Sequence, residues 1–282
     1  VALPATVAAL HDPCDVVVAG FGTGGSFAAL AAAAEGASVA AVDPCLLPGG
    51  IGTAGKISNY YHGHPAGMQE RIDETIAGRS HDFGCMRGGK AFHPLAKAEV
   101  LFDELQRRQV ALHPGHTALG VIKRDRRVEG LVTAAADGYH VFPCKVVIDA
   151  TGDGDVAAAA GAAFSLGREG DGFPQPYSYT PTLQDDGKLH WHNFDAGWVD
   201  PTDTRDLSRA HFEGRARLWA MGPYSAERHY LTLAGVLGIR ESRFIQGARR
   251  VDFQAFLDGA VYADTVCDAF AHYDNHAVDY AH

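Results

Sequence analysis

Apolar and small residues are grouped along the first third of the chain in a recognisable order. Asp15-Val16-Val17-Val18-Ala19 is a short apolar run, followed by Gly20-Phe21-Gly22-Thr23-Gly24-Gly25 and an alanine-rich stretch to Ala34. Ser38-Val39-Ala40-Ala41-Val42 is a second apolar run, closed by Asp43. The pattern predicts strand, tight turn, helix and strand. Leu47-Pro48-Gly49-Gly50-Ile51-Gly52-Thr53-Ala54-Gly55 follows, and five of its nine residues are Gly or Pro. It predicts a loop whose backbone comes close to something. His93 to Gln109 reads as a helix with an apolar stripe of Leu95, Val100, Leu101 and Leu105.

Four strand-like runs come next: 110–113, 118–122, 128–133 and 139–142, with Asp137-Gly138 as a turn. They read as a β-meander inserted before the third main strand, Lys145 to Ala150. Thr151-Gly152-Asp153-Gly154-Asp155 and a helix over Val156 to Ala163 complete this part. Beyond about residue 168, Gly, Pro, Trp, His and Tyr increase and the strand–helix rhythm stops. The expected fold is α/β: a Rossmann-like domain over 1–167 with the inserted meander, and a β-rich α+β substrate segment over 168–282.

Composition narrows the function classes. The 282 residues are 46% hydrophobic and 21% charged, with a formal net charge of −10. An acidic chain whose basic runs are short speaks against nucleic acid and anionic membranes as main partners. No apolar run approaches the roughly 20 residues that span a bilayer. The five cysteines are an odd number and contain no C-x-x-C pair. Reduced thiols in a cytoplasmic protein are the expectation.

The turn at Gly20, Gly22 and Gly25 has the spacing G-x-G-x-x-G. Gly20 permits the tight turn, Gly22 admits a pyrophosphate to the backbone, and Gly25 lets helix pack on strand. The helix N-terminus offers free N–H groups and a positive dipole end to phosphates. Asp43, 18 residues beyond Gly25, is suited to accept from a ribose hydroxyl. Dinucleotide binding is the expectation. Gly152-Asp153-Gly154-Asp155-Val156-Ala157 imitates a second fingerprint, but no strand and acid follow it at the right distance. An NAD-dependent dehydrogenase with an unusual insertion is the competing reading.

The βαβ start, the Gly-Gly-x-x-Thr loop, the meander and the Val147-Ile148-Asp149-Ala150-Thr151-Gly152-Asp153-Gly154-Asp155 run resemble FAD-dependent oxidoreductases of the glutathione-reductase-like superfamily. Gly238-Ile239-Arg240-Glu241-Ser242-Arg243 is similar to an element of a bacterial, carbohydrate-associated group among them. The resemblance covers nearly the whole chain. It implies that Gly20, Gly22, Thr23, Gly24 and Gly25 hold the FAD pyrophosphate, and that Asp43 and Pro44 meet the ribose. It implies Gly49, Gly50, Gly52 and Thr53 alongside the flavin or ribityl chain, and Ala150, Thr151, Gly152 and Asp153 near the cofactor. Members of the group are usually longer and return to the FAD domain at their C-terminal end. One expectation is therefore a split enzyme, completed by a second polypeptide that intact-mass analysis of the purified complex would find.

In such an enzyme the cofactor carries the redox step, and the protein supplies a base and positions the substrate. His62 and His64 follow the glycine loop and are the first candidates for the base, among 15 histidines. Tyr60 and Tyr61 adjoin them and are suited to stack on or donate to substrate. The same positions are compatible with a covalent flavin link, or with a plain polar connector. Arg240, Glu241 and Arg243 read either as a carboxylate clamp or as an internal ion pair. His272, Asp274, Asn275 and His276 are a third set. His190 and His192 would share one strand face, a weak metal pattern, and no metal site is expected.

The reading is flavin-dependent oxidation of a small organic molecule, a sugar or glycoside hydroxyl among the options, by hydride transfer to FAD. Reoxidation would be by O2 or another acceptor. A non-catalytic FAD-binding subunit is the remaining alternative.

Overall fold

The structure is a computed structural model and describes residues 8–60, 66–83, 91–186, 188–251 and 253–265. His62, His64, Tyr61 and the 272–276 set lie outside the described residues. The chain begins with β1 (Ala9–Leu10), β2 (Cys14–Ala19), α1 (Thr23–Ala34) and β3 (Val39–Asp43). A short 3-10 turn, Gly50–Gly52, precedes α2 (Gly67–Asp82) and α3 (Pro94–Arg107). Then come β4 (Ala111–Pro114), β5 (Thr117–Arg124), β6 (Arg127–Ala135), β7 (Gly138–Asp149) and α4 (Asp155–Ala159).

The main sheet has the order β4-β3-β2-β7-β6-β5, with β1 pairing parallel to the first residues of β7. Its β4, β3, β2 and β7 are parallel. Alternate residues separate the two faces, as the strand period requires. Val18, Val39 and Ala41 pack with α1, α2 and α3. Val17, Ala19, Ala40 and Val42 pack with Leu131 and Phe142 of the meander and Val156 of α4. The result is three layers with the glycine turn at the carboxyl edge of β2.

Three sequence expectations change. The run 110–113 is not part of the meander: β4 is the edge strand of the parallel sheet, beside β3. Two helices, α2 and α3, bridge β3 and β4, and a crossover of that length favours parallel pairing. The runs 139–142 and 145–150 are one strand. β7 pairs with β6 up to Pro143 and with β2 from Cys144 onward. Pro143, unable to donate, stands at the changeover. The stripe of α3 is also different: Leu95 is exposed, while Ala96, Lys97, Val100, Leu101, Glu104 and Leu105 are buried.

α1 ends as its sequence dictates. Gly36 takes φ 85°, and the N–H groups of Gly36 and Ala37 bond back to Ala33 and Ala32. α2 was not foreseen. It buries only Ile72, Ile76 and Ser80, a narrow strip at i, i+4 and i+8. The Glu104 carboxylate joins it to α3, accepting from Arg71 at 3.1 and 3.2 Å and from Arg107 at 2.7 Å.

The rest of the described chain is β8 (Phe164–Leu166), β9 (Gln175–Tyr179), β10 (Thr182–Asp185), β11 (Lys188–His190), β12 (Asn193–Asp195), α5 (Thr204–Ala220), β13 (His229–Thr232), β14 (Ile239–Arg240), β15 (Arg243–Ile245) and α6 (Phe253–Leu257). The strands form small antiparallel sheets, β11-β10-β13, β12-β9-β14 and β15-β8. α5, a 17-residue helix, is an exception to the β-rich expectation. The strand that holds His190 ends there, so His190 and His192 do not share a strand face. Among the described residues no helix is long and apolar enough to cross a membrane.

Candidate cofactor and active site

Two glycine turns that are separate in sequence form one wall. The Gly49 N–H donates to the Phe21 carbonyl at 2.9 Å, and Thr23 Oγ1 donates to the Gly49 carbonyl at 3.2 Å. Gly22 and Gly49 make an isolated parallel bridge. A Cβ on Gly50, at φ 53°, would stand 2.9 Å from the Gly22 Cα. Side chains are therefore excluded where the turns meet. Gly24 has nothing within 4 Å of its Cβ position.

A third turn comes from the end of β7. The Asp149 carboxylate accepts from Thr151 Oγ1 at 2.8 Å and from the Ala157 N–H at 2.9 Å. Thr151 Oγ1 in turn accepts from the Asp155 N–H at 3.0 Å. These bonds hold Thr151, Gly152 and Asp153 at the carboxyl edge of the sheet.

The three turns enclose a cleft of about 950 Å³. Of the residues expected to bind cofactor, Gly20, Gly22, Thr23, Gly24, Asp43, Pro44, Gly50, Gly52, Ala150, Thr151, Gly152 and Asp153 line it. Gly25, Gly49 and Thr53 stand behind its wall, because each is used for packing. A Cβ on Gly25 would lie 1.8 Å from the Gly20 carbonyl oxygen. Gly49 takes φ 98° at the bridge, and Thr53 Oγ1 donates to the Pro48 carbonyl at 2.8 Å. Arg240 does not line the cleft either. Its strand neighbour Ile239 does, and successive strand residues point to opposite faces.

Asp43 is buried at the end of β3. Oδ2 accepts from the Phe21 N–H at 2.8 Å and Oδ1 from the Cys45 N–H at 2.7 Å. Burial raises its carboxyl pKa above the usual range, against the pull of these two donors. The carboxylate thus ties the glycine turn to the second strand as well as facing the cleft. Burial, with Asp43 adding to it, pushes the Cys45 thiol up, which makes that thiol a poor nucleophile.

Lys97 was missed by the sequence reading. Its side chain is fully buried, with Nζ donating to Thr23 Oγ1 at 2.8 Å. It lies over the rings of Tyr60 and Phe92, at 4.6 and 4.5 Å from their centroids. Burial lowers its pKa to about 8, while Asp73 acts in the opposite direction. A signal existed: 97, 100, 101, 104 and 105 are one helical face, and a lysine there breaks the apolar pattern. Tyr60 also lines the cleft. Burial and the nearby Asp73 raise its hydroxyl pKa, and among the described residues that hydroxyl has no hydrogen-bond partner. Val236, Leu237 and Ile239, from far along the chain, close the cleft with Ile57 and Phe92.

Beside Asp43 four imidazoles meet. His11 Nε2 and His140 Nδ1 are 3.0 Å apart, and His116 Nδ1 lies 2.9 Å from Thr133 Oγ1. The His113 ring is 4.9 Å from His11 and 5.7 Å from His116. Burial, then the neighbouring histidines, lowers the His113 pKa to about 4. Among the described residues no three His, Cys, Asp or Glu side chains converge as metal ligands.

The Arg243 guanidinium pairs with Asp155 and donates to the Asp153 carbonyl at 3.0 Å. The ion-pair alternative therefore applies to Arg243, with Asp155 rather than Glu241 as the partner.

Residues 15–218 match the profile of a family described as FAD dependent oxidoreductase. No curated protein matches the chain. Among solved structures, a geranylgeranyl bacteriochlorophyll reductase-like protein from Thermoplasma acidophilum is similar, with a TM-score of 0.53 at 17% identity, over 82% of this chain and 67% of that one. The p-nitrophenol 4-monooxygenase of Pseudomonas putida has a TM-score of 0.53 at 13% identity, over 85% of this chain and 71% of that one. The myxobacterial chondrochloren halogenase has a TM-score of 0.52 at 13% identity, over 82% and 64%. At these identities the likeness concerns the fold. The first two solved chains matched are spanned over 65% and 38% of their lengths.

Proposed function

Because the chain belongs to the FAD dependent oxidoreductase family, we propose that it holds FAD in the cleft between its three turns and oxidises a small organic substrate. The observation that carries this reading is the joined pair of glycine turns at the carboxyl edge of the sheet, with Asp43 beside them. Backbone amides of Gly22 and Gly24 suit a diphosphate, and Asp43 suits ribose hydroxyls. The cleft has the size of a cofactor site.

When bound, FAD supplies a two-electron acceptor for a hydride. The chain's residues do the rest. Ile57, Val236, Leu237 and Ile239 exclude water from the reacting end. His62 or His64, following Tyr60 in sequence, takes the proton of the substrate hydroxyl or amine, and Tyr61 orients it. The narrower form of the proposal is a sugar or glycoside hydroxyl and membership of the carbohydrate-associated, glutathione-reductase-like group. Trp198 and Trp219, part of the aromatic content that favoured a sugar, are engaged outside the cleft, under Arg168 and Arg228. The broader substrate class is accordingly the reading favoured.

The test is the visible spectrum of the purified protein before and after acid precipitation. Oxidised-flavin bands are expected, and a colourless protein that takes up no added FAD refutes the proposal. Colour that stays with the pellet means a covalent link. For the base, H62N and H64N are compared in anaerobic flavin reduction by a substrate found in a screen. One of them slows reduction without weakening FAD binding. Unchanged reduction in both removes histidine from the role.

A further inference from the structure

The cleft has a charge problem. Asp43, Asp149, Asp153 and Asp155 line it, and among the described lining residues Lys97 is the one Lys or Arg. A diphosphate brings further negative charge to the same place. Backbone amides and a helix dipole offset part of this, but the α1 end carries only partial charge.

Lys97 is unusual for the opposite reason. A fully buried ammonium normally has a carboxylate against it. Here its one hydrogen bond among the described residues goes to a neutral hydroxyl, Thr23 Oγ1. Thr23 is the first residue of α1, and its hydroxyl donates onward to the Gly49 carbonyl. The other faces of Nζ meet the Tyr60 and Phe92 rings. Nζ also stands 2.8 Å from where a Gly52 Cβ would be, so the glycine loop is open on its side. An ammonium whose hydrogen bond goes to a hydroxyl, with the Asp73 carboxylate acting on it only through space, therefore shares one wall with an anion cradle that has no other Lys or Arg among the described lining residues.

We infer that Lys97 is the fixed counter-charge for the diphosphate of the cofactor, joined to the α1 N-terminus through Thr23. The inference rests on the FAD reading of the cleft. Its function is specificity: it favours a flavin that carries a diphosphate over one that does not. It also makes binding depend on pH. The groups facing Nζ are the Asp73 carboxylate of α2, the Thr23 hydroxyl and the two rings. With its pKa lowered to about 8 by burial, the free side chain loses its proton as pH rises past that value. The diphosphate favours the charged form, so affinity falls from about pH 8 upward and a proton is taken up on binding.

The test uses the apoprotein and three probes: FAD, ADP-ribose, which has the diphosphate without the flavin, and riboflavin, which has the flavin without the diphosphate. Lys97→Met removes the charge at similar volume. It is expected to weaken FAD and ADP-ribose by the same factor, roughly 10- to 100-fold, and to leave riboflavin unchanged. It should also abolish the decline of FAD affinity above pH 8. Thermal unfolding of the variant apoprotein checks that it is folded, because Thr23 Oγ1 loses its donor and Asp73 its nearby cation. Thr23→Ala should give a smaller loss for the same two probes. Equal loss for riboflavin and FAD, or no loss for FAD and ADP-ribose, overturns the inference and leaves the FAD reading standing. Wild-type protein that binds none of the three overturns both.

Discussion

Replacement of Gly25 by alanine sets two effects of opposite sign against each other. Alanine favours a helix over glycine by about 1 kcal/mol. Gly25 lies in the first turn of α1, where that gain applies. The new Cβ, however, would lie 1.8 Å from the Gly20 carbonyl oxygen, 2.8 Å from its carbon and 3.0 Å from the Ala150 Cβ. Two of these atoms are backbone, in a turn held by Asp43, so no rotamer change relieves the contact. α1 must retreat on the order of 1.5–2 Å to reach ordinary packing distance. That separates the buried Ala29 and Leu30 from the sheet. Overpacking of this kind costs about 1–3 kcal/mol, and lost packing adds a similar amount.

The clash wins, with a net loss of about 1–5 kcal/mol after the propensity gain. The melting midpoint should fall by roughly 2–20 °C, and FAD binding should weaken because the α1 amides move. Gly78→Ala is the control. Gly78 is exposed in α2 with nothing within 4 Å of its Cβ position. Only the propensity gain remains there, and stability should rise by about 0.5–1 kcal/mol. Thermal and urea unfolding of the apoproteins, with FAD titrations, measure both. A Gly25→Ala protein with wild-type midpoint and affinity would refute the packing of α1 against Gly20.

Asp43→Asn leaves one of two buried N–H donors, Phe21 or Cys45, facing an amide NH2. Urea unfolding of the apoprotein should show a loss of about 1–3 kcal/mol, independent of any effect on FAD. Glu104→Gln removes the charge shared by Arg71 and Arg107. It should destabilise by about 1–2 kcal/mol, discounted because both arginines are half-exposed or more. For the histidine cluster the sign follows from lowered pKa values: the folded state keeps His113 neutral down to about pH 4, whereas the unfolded chain protonates near 6.5. Burial lowers His11 and His116 in the same direction. Stability should therefore be full above about pH 6.5 and decline between 6.5 and 4. His113→Gln should flatten that decline in urea midpoints measured across the range, and an unchanged slope would count against the cluster as its source.

The chain's own pattern determined the βαβ start. Its signals are local: an apolar run, three glycines at set spacing, alanines that favour a helix, and an acid at the end of the next run, all within residues 15–43. The roles of Gly20 and Gly22 follow from backbone approach alone, so spacing sufficed. The same holds for Thr151 and Gly152, which follow the carboxyl end of an apolar run in the sequence, although β7 itself is partly exposed there. What lay beyond the sequence were long-range outcomes. The run 110–113 reads in sequence like the other strand-like runs after it, and only the bridging helices send it to the edge of the parallel sheet. Gly25 and Gly49 have the same chemistry as Gly22, and only their neighbours set them behind the wall rather than in it. Lys97 meets Thr23 across 74 residues of sequence, and Val236 to Ile239 come from further still. Glycine spacing and strand period are encoded residue by residue. The burial of one lysine beside an anion cradle is decided by how α3, α1 and the glycine loop pack, because the cost of removing its charge from water depends on every neighbour at once.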